Sequence, residues 1–193
     1  MTLARPPSLS GAARVAGVIG WPVTHSRSPR LHGYWLAEHG IDGAYVPLPV
    51  RPEDFVRAVT ALPLLGFRGA NVTVPHKEAA LAVCAQVSEE ARRIGAVNTM
   101  VVNDDGRLVG SNTDGYGFIE NLKAGATGWS AGAGPVVMLG AGGAARAVAV
   151  ALLDGGAPEI RIVNRNRERA AKLATELGDR RLVVEPWDRR SDV

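Results

Sequence analysis

The stretch Val136-Val137-Met138-Leu139-Gly140-Ala141-Gly142-Gly143-Ala144-Ala145 decides how the rest of the chain is read. Its apolar first half predicts a buried strand over Pro135 to Gly140. The G-x-G-x-x-A pattern that follows predicts a sharp turn into a helix over Gly143 to Leu153. Each small residue answers a separate physical need. Gly140 permits the tight turn, Gly142 lets a pyrophosphate approach the backbone, and Ala145 lets helix and strand pack closely. Amides at the helix start, around Ala141, Gly143 and Ala144, then face the anion with the helix dipole behind them. Glycines alone are a weak signal, since any strand–helix loop can carry them. The strand before and the helix after make this a dinucleotide-binding turn.

The next strand, expected over Glu159 to Val163, runs into Asn164-Arg165-Asn166, with Arg167 and Arg169 close behind. An NAD site would place Asp or Glu at that strand end for the ribose hydroxyls. A carboxylate there repels a 2′-phosphate, whereas a guanidinium clamps it with charge-assisted hydrogen bonds. The pattern therefore favours NADP(H), with contacts assigned to Gly140, Ala141, Gly142, Gly143, Ala144, Asn164, Arg165, Asn166 and Arg169. The plain alternative for the arginines is a solvated, basic helix start.

Outward from this turn, a helix over Arg167 to Leu177 and a strand over Leu182 to Glu185 complete the C-terminal part. Upstream, the periodicity predicts strands over Val15 to Gly20, Ala44 to Leu48 and Gly69 to Val74. Helices are expected over Ser28 to His39, with Ser28 as N-cap, Pro29 in the first turn and Gly40 as the stop, and over Pro52 to Leu62. Phe55, Val56, Val59 and Leu62 fall at helical spacing in the second of these. A short helix follows over Ser88 to Ile94. Val97 to Val102 and Arg107 to Gly110 then read as a hairpin closed by Asn103-Asp104-Asp105-Gly106. Asp114 to Lys123 reads as a linking helix. The implied fold is α/β: an N-terminal three-layer α/β/α substrate domain with a mostly parallel sheet (1–112), then a partial Rossmann dinucleotide-binding domain (113–193).

Composition narrows the classes. The 193 residues are 46% hydrophobic, enough for one large domain or two small ones with real cores. The net charge of +3 is mild, and the basic residues are scattered, which argues against a nucleic-acid partner. One cysteine, Cys84 in an apolar run, excludes an internal disulfide framework and fits a small core residue in a reducing cytoplasm. No apolar run approaches the roughly 20 residues of a membrane span. Met1 to Ala13 lacks a signal peptide's apolar centre and reads as a loose leader. The four histidines have no metal-ligand spacing, and His25 and His76 are read as structural.

Four polar tips stand at the ends of the upstream elements. They are His25-Ser26-Arg27-Ser28-Pro29, Asn71-Val72-Thr73-Val74-Pro75-His76-Lys77, Gly95-Ala96-Val97-Asn98-Thr99 and Ser111-Asn112-Thr113-Asp114-Gly115. Each has an ordinary explanation: Ser28 as an N-cap, Asn98 in a turn, Asp114 capping a helix. Together, in a chain with a nucleotide turn, hydroxyls, amides, a lysine and an aspartate suit a small polyhydroxylated carboxylic acid.

These four segments, the Gly140 turn and Asn164-Arg165 occur in the order found in shikimate dehydrogenases, and the chain resembles that family over nearly its whole length. The resemblance implies reversible NADP-dependent reduction of 3-dehydroshikimate to shikimate, on the route to chorismate and the aromatic amino acids. It implies that Ser26, Ser28, Thr73, Lys77, Asn98 and Asp114 hold the substrate, and that Lys77 is catalytic, paired with Asp114. A positioned lysine suits that chemistry, because it can stabilise charge on a carbonyl oxygen and supply a proton. Gly33 departs from the family's usual asparagine. The family also continues through further strands and a C-terminal helix that are not found after Val193, so the expectation is a truncated chain of uncertain activity. Alternatives are an NAD-using quinate/shikimate dehydrogenase and a non-catalytic remnant that binds shikimate or nucleotide. The expected setting is a cytoplasmic protein with a small-molecule substrate, no nucleic acid and no membrane, with a homodimer left open.

Overall fold

A computed structural model describes residues 9–192. The expected leader lies outside the described residues as far as Ser8. The described chain divides into two units, residues 9–91 with Val97–Ser111, and Arg92–Ala96 with residues 112–192.

The first unit is built on β1 (Arg14–Gly20), α1 (Ser28–Glu38), β2 (Gly43–Pro49), α2 (Phe55–Ala61), β3 (Phe67–Val72), α3 (Lys77–Val83) and β4 (Gln86–Val87). It continues through the start of α4 (Glu89–Ile94) to β5 (Thr99–Val102) and β6 (Leu108–Ser111). The strands form one sheet in the order β2-β1-β3-β5-β6-β4. β1 pairs in parallel with β2 and β3, and β4 with β6, while β3–β5 and β5–β6 are antiparallel. The hairpin arises where expected: Asn103 Oδ1 accepts from the Arg107 amide at 2.8 Å, and Gly106 N–H donates to the Asn103 carbonyl at 3.0 Å.

Strand alternation sorts the side chains to two faces. Ile19, Ala70, Val72 and Met100 pack with Phe55 and Val59 of α2 and Ala80 of α3 in one buried core. The intervening residues Tyr45, Asn71 and Thr99 face the other way, where His32 of α1 stacks on Tyr45 with ring centroids 4.0 Å apart. A groove of about 620 Å³ runs along this second face. The unit therefore has helices on both faces of a mostly parallel sheet.

Several local expectations need correction. Ser28 is the first residue of α1, not its N-cap. Arg27 occupies the cap position without a side-chain bond, and the Ser26 hydroxyl accepts from the Ser28 amide at 3.3 Å. Val56 is 55% exposed, because the buried stripe of the short α2 is only wide enough for Phe55 and Val59. β3 stops at Val72 instead of Val74: His76 N–H bonds back to Thr73 O at 2.9 Å, closing a turn that releases the chain into α3. The helix α3 itself has no counterpart in the sequence reading. Ser88 does cap α4, accepting from Ala91 N–H at 3.2 Å.

The second unit contains α5 (Asp114–Gly125), β7 (Val136–Leu139), α6 (Gly143–Asp154), β8 (Ile160–Val163), α7 (Arg167–Leu177) and β9 (Leu182–Glu185). Its strands are all parallel, in the order β7-β8-β9. Ile160, Ile162, Leu152, Leu153 and Leu173 are buried between sheet and helices. β8 is the middle strand, and Ile160, Ile162 and Val163 are buried there while Arg161 is partly exposed. β7 differs from the expected buried strand. It lies at one edge, so Met138 is buried while Val137 and Leu139 are 39% and 66% exposed.

Candidate functional site

The nucleotide turn takes its shape from three residues at the end of β7. Gly140 has φ +116°, a region closed to side-chain-bearing residues, and its N–H donates to Val163 O at 2.8 Å. This bond pins the turn to the end of β8. Gly142 is extended and opens α6 without any side-chain cap. A Cβ added there would meet no atom within 4 Å, so nothing inside the chain requires it to be glycine. The space lies in front of the α6 amides, where a phosphate would sit. Ala141 is buried and can offer only its backbone, whereas Gly142 and Ala144 are exposed.

At the end of β8, Asn164 Nδ2 donates to Asn166 O at 2.7 Å, and Asn166 Oδ1 accepts from Arg169 N–H at 2.9 Å. Asn166 is thus the N-cap of α7, and its side-chain oxygen is spent on the fold. Arg165, Arg167 and Arg169 are all exposed around this cap. No carboxylate occupies residues 164–167, so the donor set fits a 2′-phosphate better than a bare ribose.

Sequence reasoning passed over Arg146. Its Nη1 bonds Glu176 Oε2 of α7 at 2.6 Å and its Nε donates to Ile94 O at 2.9 Å. The guanidinium holds the Glu176 carboxyl below the usual carboxylate range. It braces the helix that carries the glycine turn. Only a contact map reveals such a role.

In the first unit, the polar residues gather at one end of the sheet. Thr73 N–H donates to Ile19 O at 2.8 Å, and a Cβ on Gly20 would lie 2.5 Å from Thr73 Cγ2. The end of β1 and the turn after β3 are therefore in close contact. Lys77 opens α3, and its carbonyl accepts from Val97 N–H at 2.8 Å, which ties it to the segment carrying Asn98. Asn98 is buried, and its carbonyl accepts from Val72 N–H at 2.7 Å. Ser26 and Ser28, at the β1–α1 connection, are half-buried. Ser26, Ser28, Thr73, Lys77 and Asn98 thus share the β1–β3–β5 end of one unit. Asp114 belongs to the other, where Asn112 Oδ1 accepts from the Asp114 amide at 3.0 Å and Asn112 Nδ2 donates to Ala96 O at 2.9 Å. The buried Asn112 thereby sets the first turn of α5.

His76 is 2% exposed, stacks on Phe55 with centroids 4.6 Å apart, and has Nε2 2.8 Å from Val50 O. It is a satisfied core histidine, and His25 is exposed. Among the described residues no group of three acidic, histidine or cysteine side chains could hold a metal, and no helix is long and apolar enough to cross a membrane.

A parallel β–turn–α unit with a phosphate cradle, joined to an α/β unit with hydroxyl, amide and ammonium groups at one sheet end, defines a two-domain dinucleotide-binding α/β protein. Residues 18–100 match the shikimate dehydrogenase substrate binding domain, and residues 128–190 match the shikimate / quinate 5-dehydrogenase family. The chain belongs to the shikimate dehydrogenase family. It is 59% identical over 184 residues to the shikimate dehydrogenase (NADP(+)) of Paramagnetospirillum magneticum, covering 95% of this chain and 66% of that one. It is 64% identical over 169 residues to the enzyme of the same name from Rhodospirillum rubrum, covering 88% and 60%. Among solved structures, the shikimate 5-dehydrogenase of Thermus thermophilus in complex with NADP(H) and shikimate is 44% identical. Its TM-score is 0.78, with 91% of this chain and 64% of that one covered. The chain therefore spans 60 to 66% of the length of these three relatives.

Proposed function

We propose that this chain supplies the substrate-binding and nucleotide-binding units of an NADP-dependent shikimate dehydrogenase, an oxidoreductase that reversibly reduces 3-dehydroshikimate to shikimate in aromatic amino-acid biosynthesis. The first unit is the substrate-binding and catalytic domain and the second the NADP-binding domain. The observation that carries the reading is the open glycine cradle at Gly142 paired with a β8 end that has Arg165 and no carboxylate. Relatives named for NADP(+) at 59% and 64% identity support it.

The cradle amides of Gly142, Gly143 and Ala144 take the pyrophosphate, while Arg165 and Arg169 take the 2′-phosphate, with Asn164 and the Asn166 cap shaping the loop between them. Bound NADPH supplies the hydride for the ketone carbon. Ser26, Ser28, Thr73 and Asn98 hold the carboxylate and hydroxyls of the acid, which fixes the orientation of the ketone. Lys77 stabilises the negative charge that grows on the carbonyl oxygen and gives it a proton, leaving a neutral amine that solvent reprotonates. Asp114 is the partner that this reading assigns to the Lys77 ammonium. In the oxidation direction Lys77 takes the hydroxyl proton back.

The protein is expected in the cytoplasm, where its one thiol stays reduced. Calorimetry with NADP, NAD and shikimate, alongside turnover followed by nicotinamide absorbance, tests the reading. NADP should bind at least about tenfold more tightly than NAD, as one charge-assisted clamp predicts, and shikimate should bind at micromolar to millimolar levels. A clear NAD preference or preferential use of quinate would refute the cofactor and substrate assignments. Binding of both ligands without turnover would favour a non-catalytic binding protein. Sedimentation of the same sample decides between monomer and homodimer.

A further inference from the structure

One polar chain in the first unit has no place in the binding and catalytic roles above. Tyr45 of β2 donates its hydroxyl to Asn71 Oδ1 at 2.6 Å. Asn71 Nδ2 donates to Thr99 Oγ1 at 3.1 Å, with a longer contact of 3.5 Å to Asn98 O. Thr99 in turn donates its hydroxyl to Asn98 Oδ1 at 2.9 Å. Three strands contribute, and the chain ends on the side chain assigned to the substrate.

The direction of every bond follows from one group. The Asn98 carbonyl can only accept, so the end of the Asn71 amide that faces it must be NH₂. Asn71 Oδ1 then faces Tyr45, whose hydroxyl must donate. The Thr99 oxygen already accepts from Asn71, so its own proton goes to Asn98. The atom that receives it is Asn98 Oδ1. Reversing the Asn71 amide would set its oxygen against the Asn98 carbonyl, and reversing Asn98 would take the acceptor away from the Thr99 proton. Burial also pushes the Tyr45 hydroxyl up to about 12, and the face of its ring is covered by His32, so it stays a donor throughout the physiological range.

We propose that Tyr45 is a positioning residue: through Asn71 and Thr99 it fixes the Asn98 amide with oxygen inward and NH₂ toward the substrate oxygens. This rests on the reading of Asn98 as a substrate ligand. With its Oδ1 engaged by Thr99, Asn98 meets the ligand through its NH₂, which suits hydroxyl or carboxylate oxygen at that point. It lies on the face of the sheet opposite the buried core, and its residues come from β2, β3 and the start of β5, so it also couples the pairing of these strands to the site.

The test has two arms. In the first, the side-chain amide signals of Asn71 and Asn98 are followed by NMR in the ligand-free chain. Tyr45→Phe should move both, although Asn98 is three links away. Movement of Asn71 alone would overturn the relay. Thr99→Val, which leaves Tyr45 in place, should also move Asn98 and serves if Tyr45→Phe folds poorly. In the second arm, shikimate and NADP are titrated separately. Tyr45→Phe and Thr99→Val should each weaken shikimate about fivefold to tenfold, the worth of roughly one hydrogen bond, with NADP affinity unaltered. Thr99→Ser keeps the hydroxyl and should recover most of the loss. Unchanged shikimate affinity in both variants would overturn the positioning role. If the parent chain binds no shikimate, the functional reading fails, and the amide signals alone decide the relay.

Discussion

Two glycines in one helix should respond in opposite directions to the same substitution. Gly115 and Gly117 both lie in α5, the first buried and the second exposed. An added methyl gains about 0.8–1 kcal/mol of helix propensity at either site. On Gly117 it meets nothing within 4 Å. On Gly115 it lies 2.9 Å from the Ala147 carbonyl oxygen and 3.1 Å from Ala151 Cβ, both on α6. Ala147 is fully buried and its oxygen is backbone, so it cannot swing aside. The two helices would have to part by about half an ångström to restore ordinary contact. Such overpacking costs about 1–3 kcal/mol. Gly117→Ala should therefore stabilise by about 0.5–1 kcal/mol. Gly115→Ala should fall between neutral and about 2 kcal/mol destabilising. Because a chain of two units need not unfold in one step, hydrogen exchange of the α6 amides is the suitable assay, beside guanidinium titration. Equal shifts of the same sign for both variants would refute the tight α5–α6 contact.

Lys77→Ala should lower turnover by about 10²–10⁴-fold, the usual worth of a positioned acid–base group, while NADP affinity holds in calorimetry. Equal losses in both would contradict its assigned role. Arg165→Ala should weaken NADP by about tenfold or more, as expected for a charged hydrogen bond, and leave NAD nearly untouched. Similar losses for the two nucleotides would move the 2′-phosphate elsewhere. Arg181, which also donates to Leu153 O and Ala157 O, holds the Asp179 carboxyl down to about 2. The folded value lies below the unfolded one, so the contribution is present above about pH 4 and is lost as pH falls through about 2. Asp179→Asn should flatten the acid limb of a stability–pH curve in that window, and more weakly at high salt, since the pair is partly exposed. An unchanged acid limb would remove the pair from the account.

The legible features were those governed by short-range rules. The turn from Gly140 to Ala145, the hairpin at Asn103–Gly106 and the α7 boundaries follow from backbone conformation and hydrogen bonding over a few residues. Errors arose where neighbours in space decide. Whether Val137 and Leu139 are buried depends on where β7 stands in its sheet, which no periodicity encodes. Val56 fits the helical stripe and still faces outward, because α2 has room for only two buried side chains. The α3 helix was hidden because Lys77-Glu78-Ala79-Ala80-Leu81 follows a turn that absorbs the last residues expected of the third strand.

The sequence by itself determined the kinds of groups present and their order: a phosphate-binding turn, a basic strand end without a carboxylate, and polar tips at the ends of strands. Those depend on residue chemistry and near neighbours, which a linear chain displays directly. Tertiary structure alone decided how the groups are held. The Tyr45–Asn71 and Asn71–Thr99 bonds of the relay join positions 26 and 28 residues apart, and the Arg146 brace spans 52 to Ile94 and 30 to Glu176. Hydrogen bonds act over about 3 Å, so only the pairing of strands and the packing of helices can bring such partners within reach.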